Sequence, residues 1–316
     1  MQKVVIFGGG SGLSQLLKGL TQFPIDITAV VSMSDNGAST GRLREEFSIP
    51  AVGDITKVLM AMSTESQDVK NLFNYRFNNN SSIGNHSIKN LIMTALLEMK
   101  GDFAHSLPIL CDLLDVKGYI LPITEDNVNL IGVTNTGKEI FGEEQITEAK
   151  KKIKELKYDK TPTVTHKVLE AVSKADLIIL SSGSLLTSIM PHIIIPEIQE
   201  AINKSKAKVM YICNMITQPG ETDKFKVSDH IKVIEKYLGK HSVDVVIANT
   251  SKITSDMNLL AKSEGKEAVL LDEDKLKEMN IEVIADKLFK VEDGYIRHDS
   301  LKTSYLIFSY LIEQGE

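Results

Sequence analysis

The chain of 316 residues has only two cysteines, Cys111 and Cys213, far apart and each set among core-like residues. That excludes a disulfide framework and points to buried thiols in a reducing cytoplasm. N-x-S/T triplets such as Asn249-Thr250-Ser251 then carry no glycosylation meaning. No apolar run approaches the roughly 18 residues of a membrane span, so no membrane partner is expected. Met1-Gln2-Lys3 leads straight into a strand pattern, so no signal segment is expected. A basic excess is also missing: 36 Lys and Arg against 42 Asp and Glu leave a net charge of −6, which argues against nucleic-acid binding. The chain has no H-E-x-x-H, no C-x-x-C, no G-x-S-x-G elbow and no P-loop. The seven histidines show no metal spacing; His86 and His298 sit in polar motifs suited to a ligand, the other five in structural or exposed settings. Repeats and low-complexity tracts are absent.

What is present begins at once. Lys3–Phe7 is a β-branched apolar run, Gly8-Gly9-Gly10-Ser11-Gly12 follows, and Leu13, Leu16, Leu17 and Leu20 recur at helical spacing. A strand, a glycine turn and a helix start place backbone N–H groups and a positive dipole end at one point, a seat for phosphate. Glycine is expected there because a Cβ would hold phosphate away or forbid positive φ. The pattern is not the dinucleotide fingerprint, since Leu13 and Gln15 stand where its last glycine belongs.

Further strand-like runs lie at 25–32, 175–180, 207–213, 243–248 and 267–270, most of them separated by helical patterns. This alternation predicts one α/β domain over 1–316, Rossmann-like, with a mostly parallel sheet and helices on both faces. Residues 53–142 read as an insertion, helical first and then β, with strands at 119–123 and 128–141 and a turn at Asn135-Thr136-Gly137. The charged stretch 143–160 reads as a helix and connector with a solvated face.

Ligands of open parallel sheets bind outside the carboxyl ends of the strands. Five strand ends carry polar, glycine-rich loops: 8–12, 33–42, 181–188, 214–222 and 249–251. Ser39, Thr40, Ser184 and Thr187 offer hydroxyls to phosphate or act as helix caps. Arg42 and Arg44 pair with phosphate or serve as surface charge. Asp35 holds a ribose hydroxyl, shares a divalent cation with Asp54, or closes an Asx turn. Ser182-Gly183-Ser184 has no assignable base, so a serine nucleophile is not supported.

Together these residues resemble the CofD-like family and, within it, the YvcK-type gluconeogenesis factors. Gly8–Leu13 matches the GGG-T/S-GL start, and Asp35–Arg44 resembles DDGGSSGRLR. Gly53-Asp54-Ile55 resembles PGDI, Gly183–Ile189 resembles GPGSLYTSI, and Thr217–Thr222 is a TQPGET stretch. There are departures: Asn36 replaces the second acid, Ser181-Ser182 replace Gly-Pro, Leu186 replaces Tyr, Lys89 replaces Gly, and Val52 replaces Pro. The resemblance implies two poles. One is a metal-dependent transferase that moves a phospholactyl group onto a deazaflavin precursor. The other is a UDP-sugar-binding factor that supports cell-wall precursor supply and cell shape on gluconeogenic carbon sources.

The TQPGET stretch and Arg297-His298-Asp299 favour the second pole. The expectation is a cytoplasmic binder of UDP-N-acetylglucosamine or a similar nucleotide. Its site residues are Gly8, Gly9, Gly10, Ser11, Gly12, Asp35, Asn36, Ser39, Thr40, Arg42, Gly183, Ser184, Thr187, Asn214, Thr217, Gly220 and Arg297. Phosphates belong on Gly8–Gly12 and the Ser184 loop, uracil and ribose near Asp35 or Asn214, and sugar toward the insertion. Asp35 and Asp54 are the pair for Mg2+. An NAD(P)-binding protein is the third reading. Ser300 is placed to cap the C-terminal helix and to receive phosphate from a protein kinase. Self-association into a homo-oligomer is left open.

Overall fold

The computed structural model of the protein describes residues 1–78, 83–251, 265–292 and 295–315. The strands in chain order are β1 (Lys3–Gly8), β2 (Asp26–Val31), β3 (Tyr119–Pro122), β4 (Leu130–Thr134), β5 (Glu139–Phe141), β6 (Ile153–Tyr158), β7 (Leu177–Leu180), β8 (Lys208–Ile212), β9 (Val245–Asn249), β10 (Glu282–Asp286), β11 (Phe289–Glu292) and β12 (Tyr295–His298). Seven of them form one parallel sheet in the order β10-β9-β8-β7-β1-β2-β3. Val4–Phe7 and Leu177–Leu180 are buried throughout, as continuous apolar runs must be when both faces of a sheet are covered.

From β1 the chain moves one way to β2 and β3, then returns to build β7, β8, β9 and β10 on the other side. Right-handed crossovers in opposite directions put the intervening helices on opposite faces. Helix α1 (Gly10–Leu20) lies on one face between α2 (Gly53–Met62) and the C-terminal helix Ser300–Gln314. Leu13, Leu16, Leu17 and Leu20 are all buried, as their spacing predicts. Gly19 is obligatory there: a Cβ would overlap the Ser300 carbonyl and the Ser304 hydroxyl.

The sequence reading needs four corrections. Tyr119–Pro122, expected in a β part of the 53–142 insertion, pairs with β2 as the edge of the main sheet. The connector expected in 143–160 contains β6, which pairs with β4 and closes the small antiparallel sheet β5-β4-β6. Residues 267–270 supply only isolated bridges, Ala268 to Ile216 and Leu270 to Lys226; β10 takes the edge position instead. Ser300 is not a helix cap, because Asp299 accepts the Lys302 amide at that end. Cys213 is buried, whereas Cys111 is only half-buried. Among the described residues no helix is long and apolar enough to cross a membrane.

Candidate functional site

The sheet order reverses between β1 and β7, and the crevice above that point is where open α/β sheets hold ligands. Two loops meet there. After β1, Gly9 is extended and Gly10 takes φ +58°, a left-handed conformation that a side chain would strain. Gly8 and Gly12 have a different reason: a Cβ on Gly8 would overlap the Ser181 hydroxyl, and one on Gly12 the Ser182 carbonyl. Those glycines let the β1 loop press against the β7 loop. His192 holds the same loop from below, with Nε2 3.0 Å from the Gly8 carbonyl, and burial pushes its pKa down to about 4. The neutral ring therefore donates from Nε2.

The helix N-terminus is partly occupied by the protein itself. Asp54 Oδ2 accepts the Gly10 amide at 2.7 Å, and Lys57 binds Asp54 Oδ1 at 2.8 Å. A carboxylate thus already answers part of the α1 dipole. Ser11 and Gly12, which as first-turn residues have no helical acceptor, remain available. The β7 loop repeats the device. Ser184 accepts the Thr187 amide and donates to Glu221 Oε2 at 2.8 Å, while Glu221 Oε1 accepts the Leu186 amide at 3.0 Å. Burial pushes Glu221 up to about 7. Asn214 grips Gly183 at both ends of its amide, accepting from the nitrogen and donating to the carbonyl.

Between these loops lies a pocket of about 250 Å³ lined by Ser11, Gly12, Gln15, Ser182–Ser184, Asn214–Gln218, Lys266 and Ile296–His298. Of the expected site residues it brings together Ser11, Gly12, Gly183, Ser184, Asn214, Thr217 and Arg297. Arg297 reaches it from β12, far along the chain. Thr217 acts as a strut, its amide and hydroxyl bonded to the Glu267 backbone. A second hollow of about 410 Å³ adjoins the first, and Gln218 and Lys266 line both. Gly220 belongs to its wall, with φ +81° and a Cα pressed on the Lys150 backbone. Thr187 is buried beneath, its hydroxyl on Ser184.

The remaining expected residues form a closed network beside β2 and do not line the pocket. Asp35 closes an Asx turn, accepting from the Gly37 amide and the Thr40 hydroxyl, each at 3.0 Å. Asn36 accepts from the Glu144 amide and donates to Gln145. Ser39 bonds His86 and Asn90, and Arg42 donates to the Gly84 carbonyl at 2.6 Å. Arg44 is buried and donates to Asp35 O, Asn127 Oδ1, Val128 O and Asn129 Oδ1. In this arrangement these side chains hold one another.

The Mg2+ expectation fares similarly. Both oxygens of Asp35 and both of Asp54 already accept hydrogen bonds, and the Lys57 ammonium sits against Asp54, where a cation would bind. Among the described residues no three His, Cys, Asp or Glu side chains are grouped for a metal ion. As arranged, the pair does not fit a divalent cation. Burial raises Asp35, and the Asp54 charge adds to it. Glu143, expected on a solvated face, instead turns toward this group; burial pushes it up to about 7, and the Asp35 and Asp54 charges add to that.

Sequence reasoning missed Lys57, Glu143, Glu221 and Lys266. Glu221 was visible inside Thr217–Thr222, and Lys57 stands one helical turn from Asp54. Nothing local marks the other two. Ser300 is buried with its hydroxyl on the Gln15 carbonyl, so a phosphate there requires the C-terminal helix to part from α1.

A family model described as 2-phospho-L-lactate transferase CofD matches residues 4–289. A protein of Bacillus subtilis called gluconeogenesis factor is 38% identical over 316 residues, covering 98% of each chain. A gluconeogenesis factor of Halalkalibacterium halodurans is 39% identical, covering 97% of this chain and 95% of its own. The crystal structure of a UPF0052-family protein from Bacillus halodurans superposes with a TM-score of 0.94 at 38% identity, over 97% of this chain and 99% of that one. In sequence and in fold the agreement runs through nearly every element that builds the pocket: the chain belongs to the CofD family.

Proposed function

We propose that the protein is a cytoplasmic regulator that binds a nucleotide sugar of the UDP-N-acetylglucosamine type and supports cell-wall precursor supply and cell shape during growth on gluconeogenic carbon. The observation that carries this reading is the convergence on one pocket of the Ser11 and Gly12 amides, Lys266 and Arg297. Helix amides and an arginine fork suit a diphosphate. The pocket alone, at about 250 Å³, is smaller than the roughly 300–1,000 Å³ of common ligand sites; with the adjoining hollow of about 410 Å³ the cleft falls within that range. A diphosphate flanked by two bulky groups fits such a paired cleft. The relatives called gluconeogenesis factors support the cellular role. Of the two placements left open for uracil and ribose, the cleft favours Asn214: it lies on the β7 and β8 side of β1, away from Asp35, where a nicotinamide dinucleotide would bind its ribose.

Calorimetry and thermal shift with UDP-N-acetylglucosamine, GDP and NAD test this. UDP-N-acetylglucosamine at 100 times its Kd is expected to add about 2.7 kcal/mol of stability. Silence with that ligand and a response to NAD or GDP would overturn the reading. The transferase named by the family match is the rival. EDTA is expected to change UDP-sugar affinity by less than tenfold, about 1.4 kcal/mol; a larger loss favours the metal-dependent enzyme.

A further inference from the structure

The second hollow differs chemically from the first. Its floor is apolar, built by Ile146, Ile153 and Leu186, and its rim carries Lys150, Lys151 and Lys266. Neither Lys150 nor Lys151 has a hydrogen bond or ion pair through its ammonium among the described residues. The one acid on the wall, Glu221, is turned away onto Ser184 and the Leu186 amide. Gly220 seats its Cα against the Lys150 backbone, so the two lysines are positioned by the same 217–222 loop that lines the diphosphate pocket. In a chain of net charge −6, these two exposed ammoniums stand at the rim of an apolar floor with no acid paired to them among the described residues. A neutral base or a neutral hexose would leave them so. An acidic group on the ligand would supply a counter-charge.

We propose that this hollow is a carboxylate subsite, and that the protein prefers nucleoside-diphosphate sugars whose glycosyl unit bears an acid. The inference rests on the nucleotide-sugar reading above and adds the class of sugar. Ion pairs at such a rim weaken with salt, which gives a second readout.

UDP-glucose and UDP-glucuronic acid differ by one oxidised carbon and provide the test. The wild-type protein is titrated with both, and with UDP-N-acetylglucosamine, at low and at high salt. UDP-glucuronic acid is expected to bind at least fivefold more tightly than UDP-glucose at low salt, with the advantage shrinking at high salt. In the double variant Lys150→Gln/Lys151→Gln the two sugars are expected to bind alike. Lys152→Gln, which removes the same charge one residue outside the hollow, is expected to keep the preference. Equal or weaker binding of UDP-glucuronic acid by the wild type overturns the proposal, as does a preference that survives the double variant. Equal loss in Lys152→Gln also overturns it, because the effect would then be one of overall charge. If UDP-glucose and UDP-N-acetylglucosamine bind and the acid brings no gain, only the subsite fails; if none of the three binds, the nucleotide-sugar reading fails with it.

Discussion

The loop that leaves β2 and the loops that leave β7 and β8 are built from the same residues. All are rich in Gly, Ser or Thr, the β2 and β8 loops each include an Asn and an acid, and all lie on one rim of the sheet. Their hydrogen bonds go to different places. Beside β2, the Asp35, Asn36, Ser39, Arg42 and Arg44 side chains are satisfied by the protein. Beside β7 and β8 the internal bonds brace backbone, with Asn214 on Gly183 and Thr217 on Glu267, and leave a walled space with cations on it. Composition marks both as polar rim; only the partners of each donor separate a strut from a seat.

Variants on the two sides are expected to separate stability from binding. The largest effect belongs to Arg44→Ala. It strips the guanidinium from four buried or half-buried acceptors. At ~1–3 kcal/mol for a buried group left unpaired, the loss should reach about 3–5 kcal/mol in urea unfolding. Protein that stays folded should bind as before; a stable variant with lost affinity would reverse the assignment of the two sides. Gly12→Ala comes next. Its Cβ would overlap the Ser182 carbonyl and force the β1 and β7 loops apart. It should cost ~1–3 kcal/mol of stability and, because the cleft is formed by that contact, weaken UDP-sugar binding at least tenfold. Calorimetry showing full affinity would mean that the ligand sits elsewhere.

The third is a pair. Arg297→Ala should lose about 1.5–3 kcal/mol of ligand affinity with little change in Tm, whereas Arg42→Ala should shift stability by about 1 kcal/mol and leave affinity alone. Matched affinity losses in the two variants would erase the distinction. The smallest effect is in pH. Burial holds Glu143 and Glu221 up to about 7, against 4.5 for a free side chain. The folded state therefore binds more protons than the unfolded chain between those values, and stability falls as pH rises through about 7. His192, His230 and His298 are held down to about 4 from 6.5, so they stay neutral in the fold, and their opposing contribution fades once the unfolded chain has lost its imidazole charge above about 7. Tm measured from about pH 7 to about 8 should decline, and Glu143→Gln should flatten the decline. A flat wild-type profile would show that Glu143 and Glu221 titrate as free carboxyls.

Much of the fold was legible because it follows from local periodicity. The β1–α1 unit and the buried runs of β7, β8 and β9 fall where apolar spacing puts them. Edges were harder. β3 and β10 are half-buried strands whose membership in the sheet is set by a distant partner, Thr28–Val31 for one and Val245–Asn249 for the other. The site followed the same rule. Gly12, Ser184 and Arg297 belong to recognisable motifs and line the pocket. Asp35 and Arg42 have motifs just as clear, yet their partners, Thr40 and Gly84, engage them first. Glu143 stands in a charged run that reads as solvent-facing, and only the fold turns it inward.

Helix α1, which opens the site, is fastened at Gly19 and Gln15 to the start of the C-terminal helix, and the Ser300–Gln15 bond joins residues 285 positions apart. Closing a flexible loop of that length costs about 5 kcal/mol of chain entropy beyond a constant. No local contact offsets that cost early in folding, so this seam, with Arg297 just before it, should form late. A chain still emerging from the ribosome would have the glycine turn and most of the sheet while lacking the wall that carries Arg297. Ligand binding then reports on completed folding: it acts only on chains whose two ends have met, and it slows their separation.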